Sequence, residues 1–311
     1  MRIAIFGAGG VGGYFGACLA RAGEEVGFVA RGEHLRAMAT TGLQIRSPLG
    51  DFKLDRVRAT HDASQLAPVD LVLLAIKAWQ LPQATPALAS LLGPSTFVLP
   101  LLNGIETSTC LEAVLGPGRV LKGLARIVSR ISTPGVITHV GVQPTIVFKE
   151  PDNTTSTRIR RLRDLLENAG IRAVIPEDVD RALWEKFIFV VAVGGVGAVS
   201  RANVGVMRQV AETRGLLTEV MEEIYDLARV RGVNLKEDTI PRAMKFLDDM
   251  PADATASLQR DLAAGRPSEL EAWTGAVVRL GRESGLPTPR NDFIHSSLLP
   301  LERRARGQVK F

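Results

Sequence analysis

The first chemistry in the chain lies in six residues near its start. Gly7-Ala8-Gly9-Gly10-Val11-Gly12 fits the pattern G-x-G-x-x-G. In that pattern one glycine makes a tight turn, the next lets the backbone approach a pyrophosphate, and the third lets a helix pack closely on a strand. A purely structural glycine turn is the plainer alternative. Here the hexapeptide follows an apolar, β-branched run and opens a helical pattern with Gly16 one turn on. That context reads as a dinucleotide loop, with the pyrophosphate on the positive end of the helix. A carboxylate about 20 residues further on would bind the ribose hydroxyls of NAD. The second strand instead ends in Val29-Ala30-Arg31. A guanidinium there suits a 2′-phosphate, so NADP(H) is the expected cofactor. An ordinary exposed arginine in a turn is the alternative. Lys77, Gln80 and Asn103 follow two further apolar runs and would supply one positive charge and two amides. Each of the three can also be read as a polar loop residue.

These groups need a scaffold, and the first half of the chain reads as one. Strands are expected at 2–6, 26–30, 71–76 and 97–99, with a helix at 12–22 ended by Gly23. Strands alternating with helices mean βαβ units and a mostly parallel sheet, with ligands at the carboxyl ends of the strands. Residues 120–148 change to β-branched runs broken by Pro134-Gly135 and Gly141, which read as hairpins. A basic helix at 154–169, with Arg158, Arg160, Arg161 and Arg163, reads as a solvated face. A last strand is expected at 171–175. Helices are then expected at 177–199, 208–231, 236–249, 254–263, 268–284 and 289–304. The fold class is therefore α/β: a Rossmann-type doubly wound domain over 1–172, then an all-α domain over 173–311.

The chain is 46% hydrophobic and 23% charged, which suits a globular protein with a large core. The net charge of +5 suits an anionic ligand, and 5% aromatics are too few for a base-stacking platform, so no nucleic-acid partner is expected. Two cysteines and four scattered histidines predict neither a disulfide framework nor a metal site. The start of the chain lacks signal-peptide features, and the richest apolar stretch, 187–199, is short and glycine-studded. A cytoplasmic location with no membrane partner is expected.

The chain resembles the ketopantoate reductase (2-dehydropantoate 2-reductase) family. Gly7–Gly12, Arg31, Lys77-Ala78-Trp79-Gln80 and Asn103-Gly104 occur in the family's order and spacing. So do Leu183-Trp184-Glu185-Lys186 and the Ser257, Asp261 and Glu269 stretch. The resemblance implies that Lys186 is the general acid and that Glu269 acts near it, close to cofactor or substrate hydroxyls. It implies that Ser257 binds the substrate carboxylate, that Asn103 meets both cofactor and substrate, and that Lys77, Gln80 and the main chain at Ser129 meet the cofactor. The residues beside Lys186 agree, because the helix from Phe187 to Val199 is apolar or glycine all round. A lysine at its head is partly desolvated, which lowers its pKa toward a useful range. Taken alone, Lys186 could be an exposed lysine, Glu269 a first-turn glutamate favoured by the helix dipole, and Ser257 a surface hydroxyl.

The chain also departs from the family. Val190 and Gly194 stand where the typical family helix carries substrate-binding asparagines. A third such position falls at Val204, with Asn203 beside it. The glycines at 194, 195 and 197 leave room for close helix packing or for a bulkier ligand. Three readings follow. The first is NADPH-dependent reduction of 2-dehydropantoate to (R)-pantoate, in pantothenate biosynthesis. The second is reduction of another 2-oxo acid, or oxidation of a D-2-hydroxy acid, with a more apolar side chain. The third is an NADP-binding sensor without turnover, against which the retention of Lys186 and Glu269 counts. A homodimer through the helical domain is compatible with the sequence.

Overall fold

The computed structural model describes residues 1–310, and the packing divides the chain into two units. The first comprises Met1–Leu102 and Glu106–Val179. It begins with β1 (Arg2–Phe6), α1 (Gly10–Arg21), β2 (Glu25–Val29) and α2 (Gly32–Thr41). Short strands β3 (Leu43–Arg46), β4 (Phe52–Leu54) and β5 (Arg58–Thr60) come next. After them stand β6 (Val69–Leu74), α3 (Leu81–Ala89), β7 (Leu92–Pro100) and α4 (Thr107–Leu115). A long hairpin of β8 (Lys122–Thr133) and β9 (Val136–Lys149), then α5 (Thr157–Asn168) and β10 (Arg172–Val174), complete it.

Five strands form an all-parallel sheet in the order β5-β2-β1-β6-β7. Their residues are apolar on both faces, as a covered parallel sheet requires: Ile3, Ala4, Ile5 and Phe6 are all buried. The strand order reverses at β1, between β2 and β6. This is the topological switch point where such sheets bind ligands. A second, mixed sheet runs β10-β9-β3-β4, with β8 antiparallel to β9. Helix α1 packs on strands of both sheets, and every residue from Gly12 to Leu19 is buried. A β-carbon on Gly13 would lie 3.0 Å from the Ile137 side chain, and one on Gly16 would lie 2.5 Å from the Phe28 ring. Small residues at these positions are the condition for the helix to fit.

The structure corrects several expected boundaries. Pro134-Gly135 is the one turn of the β8–β9 hairpin. Gly141, expected to break the pattern, lies inside β9 with φ +75°. The register slips there, between Arg126↔Thr145 and Val128↔Val140, so Gly141 marks a bulge. The expected domain boundary at 172/173 falls inside β10, and the change of unit occurs at Val179/Asp180.

The second unit comprises Asn103–Ile105 and Asp180–Phe311. Its helices are α6 (Val179–Ser200), α7 (Val204–Gln209), α8 (Ala211–Val230), α9 (Thr239–Asp249), α10 (Ser257–Ala263), α11 (Ala276–Glu283) and α12 (Pro289–Ala305). A π-helical turn, Glu271–Gly275, leads into α11. The single helix expected at 208–231 is two, because Val210 adopts an extended ψ of 117° between α7 and α8. Helix α6 is long and apolar enough to cross a membrane by length and composition, with a mean hydropathy of 1.7. In this fold it is the core helix: Phe187, Ile188, Val191, Ala192 and Val196 are buried among α8, α10 and the π-turn.

Lys149 closes the first unit. Its side chain is 6% exposed, and its Nζ donates to the Pro176 carbonyl at 2.7 Å and the Glu177 carbonyl at 2.8 Å. It ties β9 to the chain that leaves β10. Lys149→Met keeps the apolar stem and strips both carbonyls of their donor. Urea unfolding should show a loss of about 1–3 kcal/mol. An unchanged midpoint would mean that these two bonds contribute nothing.

Candidate active site

The glycine loop sits at the switch point of the parallel sheet. Gly7 has φ +102°, and the N–H groups of Gly7 and Ala8 both donate to the Val29 carbonyl, at 3.2 and 3.1 Å. A β-carbon on Gly7 would lie 2.7 Å from the Ala75 carbonyl oxygen. One on Gly12 would lie 2.2 Å from the Gly7 carbonyl oxygen, and one on Gly10 would lie 2.5 Å from that of Ser129. Gly9 differs, since nothing lies within 4 Å of a β-carbon built there. Three glycines thus hold the loop against its neighbours, and the fourth leaves the backbone open to an approaching group. The first turn of α1 contains no acidic residue and no side-chain cap, so its N–H groups keep their positive end unneutralised. This donor set fits a dinucleotide pyrophosphate.

Arg31 caps α2 just beyond the end of β2, in an extended conformation. It is exposed, and among the described residues no side-chain hydrogen bond or ion pair engages its guanidinium. His34, in the first turn of α2, was not singled out by its sequence context. Its Nδ1 accepts from the Gly135 N–H at 3.0 Å, which links α2 to the β8–β9 turn. Burial holds the His34 pKa below the ordinary histidine value, and a contact with the Ala8 backbone opposes that shift. Ser129, on β8, meets the loop through its main chain at Gly10, and its Oγ is buried without a hydrogen-bond partner. Lys77 and Gln80 stand on the turn after β6. The Gln80 Oε1 accepts from the Lys77 N–H at 3.0 Å, so that oxygen closes the turn.

The second unit collects the other residues. Lys186 is half-buried on α6. Its neighbour Glu185 is held by Arg242, Nη2 to Oε1 at 2.8 Å, and Arg242 also pairs with Asp238. Val190 and Gly194 follow Lys186 at intervals of four, so the three share one face of the helix over about 12 Å. At Gly194 that face meets two other elements. A β-carbon there would lie 2.6 Å from the Trp273 ring and 3.5 Å from the Leu258 Cβ. Leu258 follows Ser257 in the first turn of α10, and Trp273 lies in the π-turn one turn after Glu269. Helix α6, which bears Lys186, thus meets at Gly194 the first turn of α10, which begins at Ser257, and the π-turn that starts two residues after Glu269. Ser257 is half-buried there, and Glu269 is only 3% exposed. Asn103–Ile105 belongs to the same unit, where Ile105 packs on the helical core.

The space opened by the glycines of α6 is filled by protein. Trp273 covers Gly194, and Ile294 lies 3.0 Å from a β-carbon on Gly195. Of the two outcomes expected for this run, close helix packing is the one observed. Val204 is buried, and the Asn203 Oδ1 accepts from the Val206 N–H at 3.0 Å as the cap of α7.

Comparison with known proteins places this geometry. The model of the ketopantoate reductase PanE/ApbA family matches residues 3–153, and that of its C-terminal domain matches residues 178–302. A 2-dehydropantoate 2-reductase of Mesorhizobium japonicum is 32% identical, over 98% of this chain and 97% of its own. The crystal structure of a PanE/ApbA family ketopantoate reductase from Ralstonia eutropha JMP134 is 30% identical, with a TM-score of 0.91 over 98% of this chain and 100% of its own. A D-mandelate dehydrogenase solved with NADH and anilino(oxo)acetate shares the fold at a TM-score of 0.90 and 22% identity, over 98% of this chain and 99% of its own. With both of its domains matched, the chain belongs to the ketopantoate reductase PanE/ApbA family of oxidoreductases.

Proposed function

We propose that this protein is a cytoplasmic enzyme that reduces 2-dehydropantoate to (R)-pantoate with NADPH, Lys186 acting as proton donor. The observation that carries the reading is the meeting at Gly194 of α6, which bears Lys186, with the first turn of α10 at Ser257 and the π-turn that follows Glu269. NADPH supplies the hydride that the keto carbon accepts. The Lys186 ammonium orients the keto oxygen and gives it a proton as alkoxide charge develops. Ser257 and Asn103 bind the substrate, and Glu269 orients Lys186 and the reacting hydroxyl. The glycine loop, Lys77, Gln80 and the main chain at Ser129 hold the nucleotide, with Arg31 on its 2′-phosphate.

A second reading has its own observation. Val190 and Gly194 offer no amide, the Trp273 ring covers Gly194, and the Asn203 oxygen is used by its own helix. A substrate hydroxyl facing Val190 would go unpaired at a cost of about 1–3 kcal/mol. These features favour a 2-oxo acid with an apolar side chain.

Two substitutions test the assignments. Lys186→Ala should lower kcat by about 10²–10⁴-fold while leaving NADPH affinity within a few-fold. Unchanged turnover would remove the proton-donor role. Arg31→Ala should weaken NADPH binding by about 10- to 100-fold and leave NADH binding unchanged, as loss of one charge-assisted contact requires. Equal weakening of both nucleotides would place Arg31 elsewhere.

A further inference from the structure

Helix α12 carries a buried carboxylate that the proposed reaction does not use. Glu302 is 1% exposed. Its Oε2 accepts from the Ser268 N–H at 3.0 Å and from the Ser268 hydroxyl at 2.5 Å. Its Oε1 accepts from the same N–H at 3.2 Å and from the Arg306 Nε at 2.7 Å. Arg306 reaches back to the Ser268 carbonyl at 3.3 Å, so a ring of polar contacts closes on one residue. The Ser268 hydroxyl also accepts from the Leu270 N–H at 3.2 Å.

Ser268 is thus tied to the Glu302 carboxylate, and Leu270, on the other side of Glu269, is tied to Ser268. Leu270 is held from the other side as well. Its carbonyl accepts from the Gly275 N–H at 3.0 Å, the bond that defines the π-turn. A second contact from α12 joins the far end of the segment, His295 Nε2 to Glu271 Oε2 at 3.4 Å. A buried ion pair of this kind contributes little net stability, since apolar groups of equal volume would serve as well or better. What it does supply is direction, because three donors converge on one carboxylate and leave the backbone at 268–270 one arrangement.

We propose that Glu302 is the positioning residue for Glu269, acting through Ser268 with Arg306 as its counter-ion. The inference rests on the reading of Glu269 as an active-site group. Glu302→Gln puts an amide NH₂ against donors and breaks the ring at either Ser268 or Arg306. Ser268→Ala removes only the hydroxyl.

The test is a double-mutant cycle on the full chain, with kcat and KM for the 2-oxo acid, the NADPH Kd and the melting temperature as readouts. Glu302→Gln and Ser268→Ala should each lower kcat about tenfold or more, with NADPH Kd within threefold of wild type, as misplacement by a fraction of an ångström does. In a Glu269→Gln background the same changes should lower kcat by less than about threefold, because the group they position is already lost. Ser268→Ala carries the cycle if Glu302→Gln fails to fold. An equal loss in both backgrounds would make the ring merely structural and overturn the proposal. Turnover unaffected by Glu269→Gln alone would instead overturn the reading of Glu269, and the positioning role with it.

Discussion

The first unit depends on how closely α1 can approach the strands around it. The helix packs on two sheets, and its contacts are backbone to backbone where they matter most. Gly12 faces the Gly7 carbonyl, Gly10 faces that of Ser129, and Gly16 faces the Phe28 ring. A methyl group at any of them would force the helix away from β1 or β8. The same closeness aims the first-turn N–H groups of α1 at the open space beside Gly9. The packing constraint and the proposed anion site are therefore one feature, and the glycines cannot be divided into structural and functional ones.

The helical unit repeats the arrangement with different partners. Gly194 lets the Trp273 ring close on α6, which brings α10 and the π-turn to the face that bears Lys186. Glu269 lies in the bend just before the π-turn, outside any regular helix. The polar ring of Glu302, Ser268 and Arg306 then holds the backbone on either side of it. The close packing also accounts for a small residue at 194. An asparagine at 194 would have to displace the indole.

Much of this was legible in the residues. The strand–glycine loop–helix unit is local, its pattern is strong, and the structure contains it. The α/β unit followed by a helical one was equally plain, because apolar periodicity changes from alternating to helical near the junction. What escaped had a physical reason. Helix α2 fully buries only Met38, so it shows almost no apolar stripe. Helix α3 carries two prolines, Pro82 and Pro86, that argue against a helix in sequence. The break at Val210 is a matter of one ψ angle with no residue signature. Glu302 was hidden most completely, since it stands in the run Glu302-Arg303-Arg304-Ala305-Arg306, whose composition reads as a solvated helix end. Only tertiary packing distinguishes Glu302 from its neighbours.

On the proposed reading, the chain reduces a 2-oxo acid with NADPH, with Lys186 as proton donor. Initial rates of NADPH and NADH oxidation by the full chain, with 2-dehydropantoate and with branched and aryl 2-oxo acids, test it most directly. One 2-hydroxy acid should form per NADPH oxidised, with a kcat/KM at least about tenfold higher with NADPH than with NADH, a difference of roughly 1.4 kcal/mol. Absence of product from every 2-oxo acid, or a preference for NADH, would contradict it.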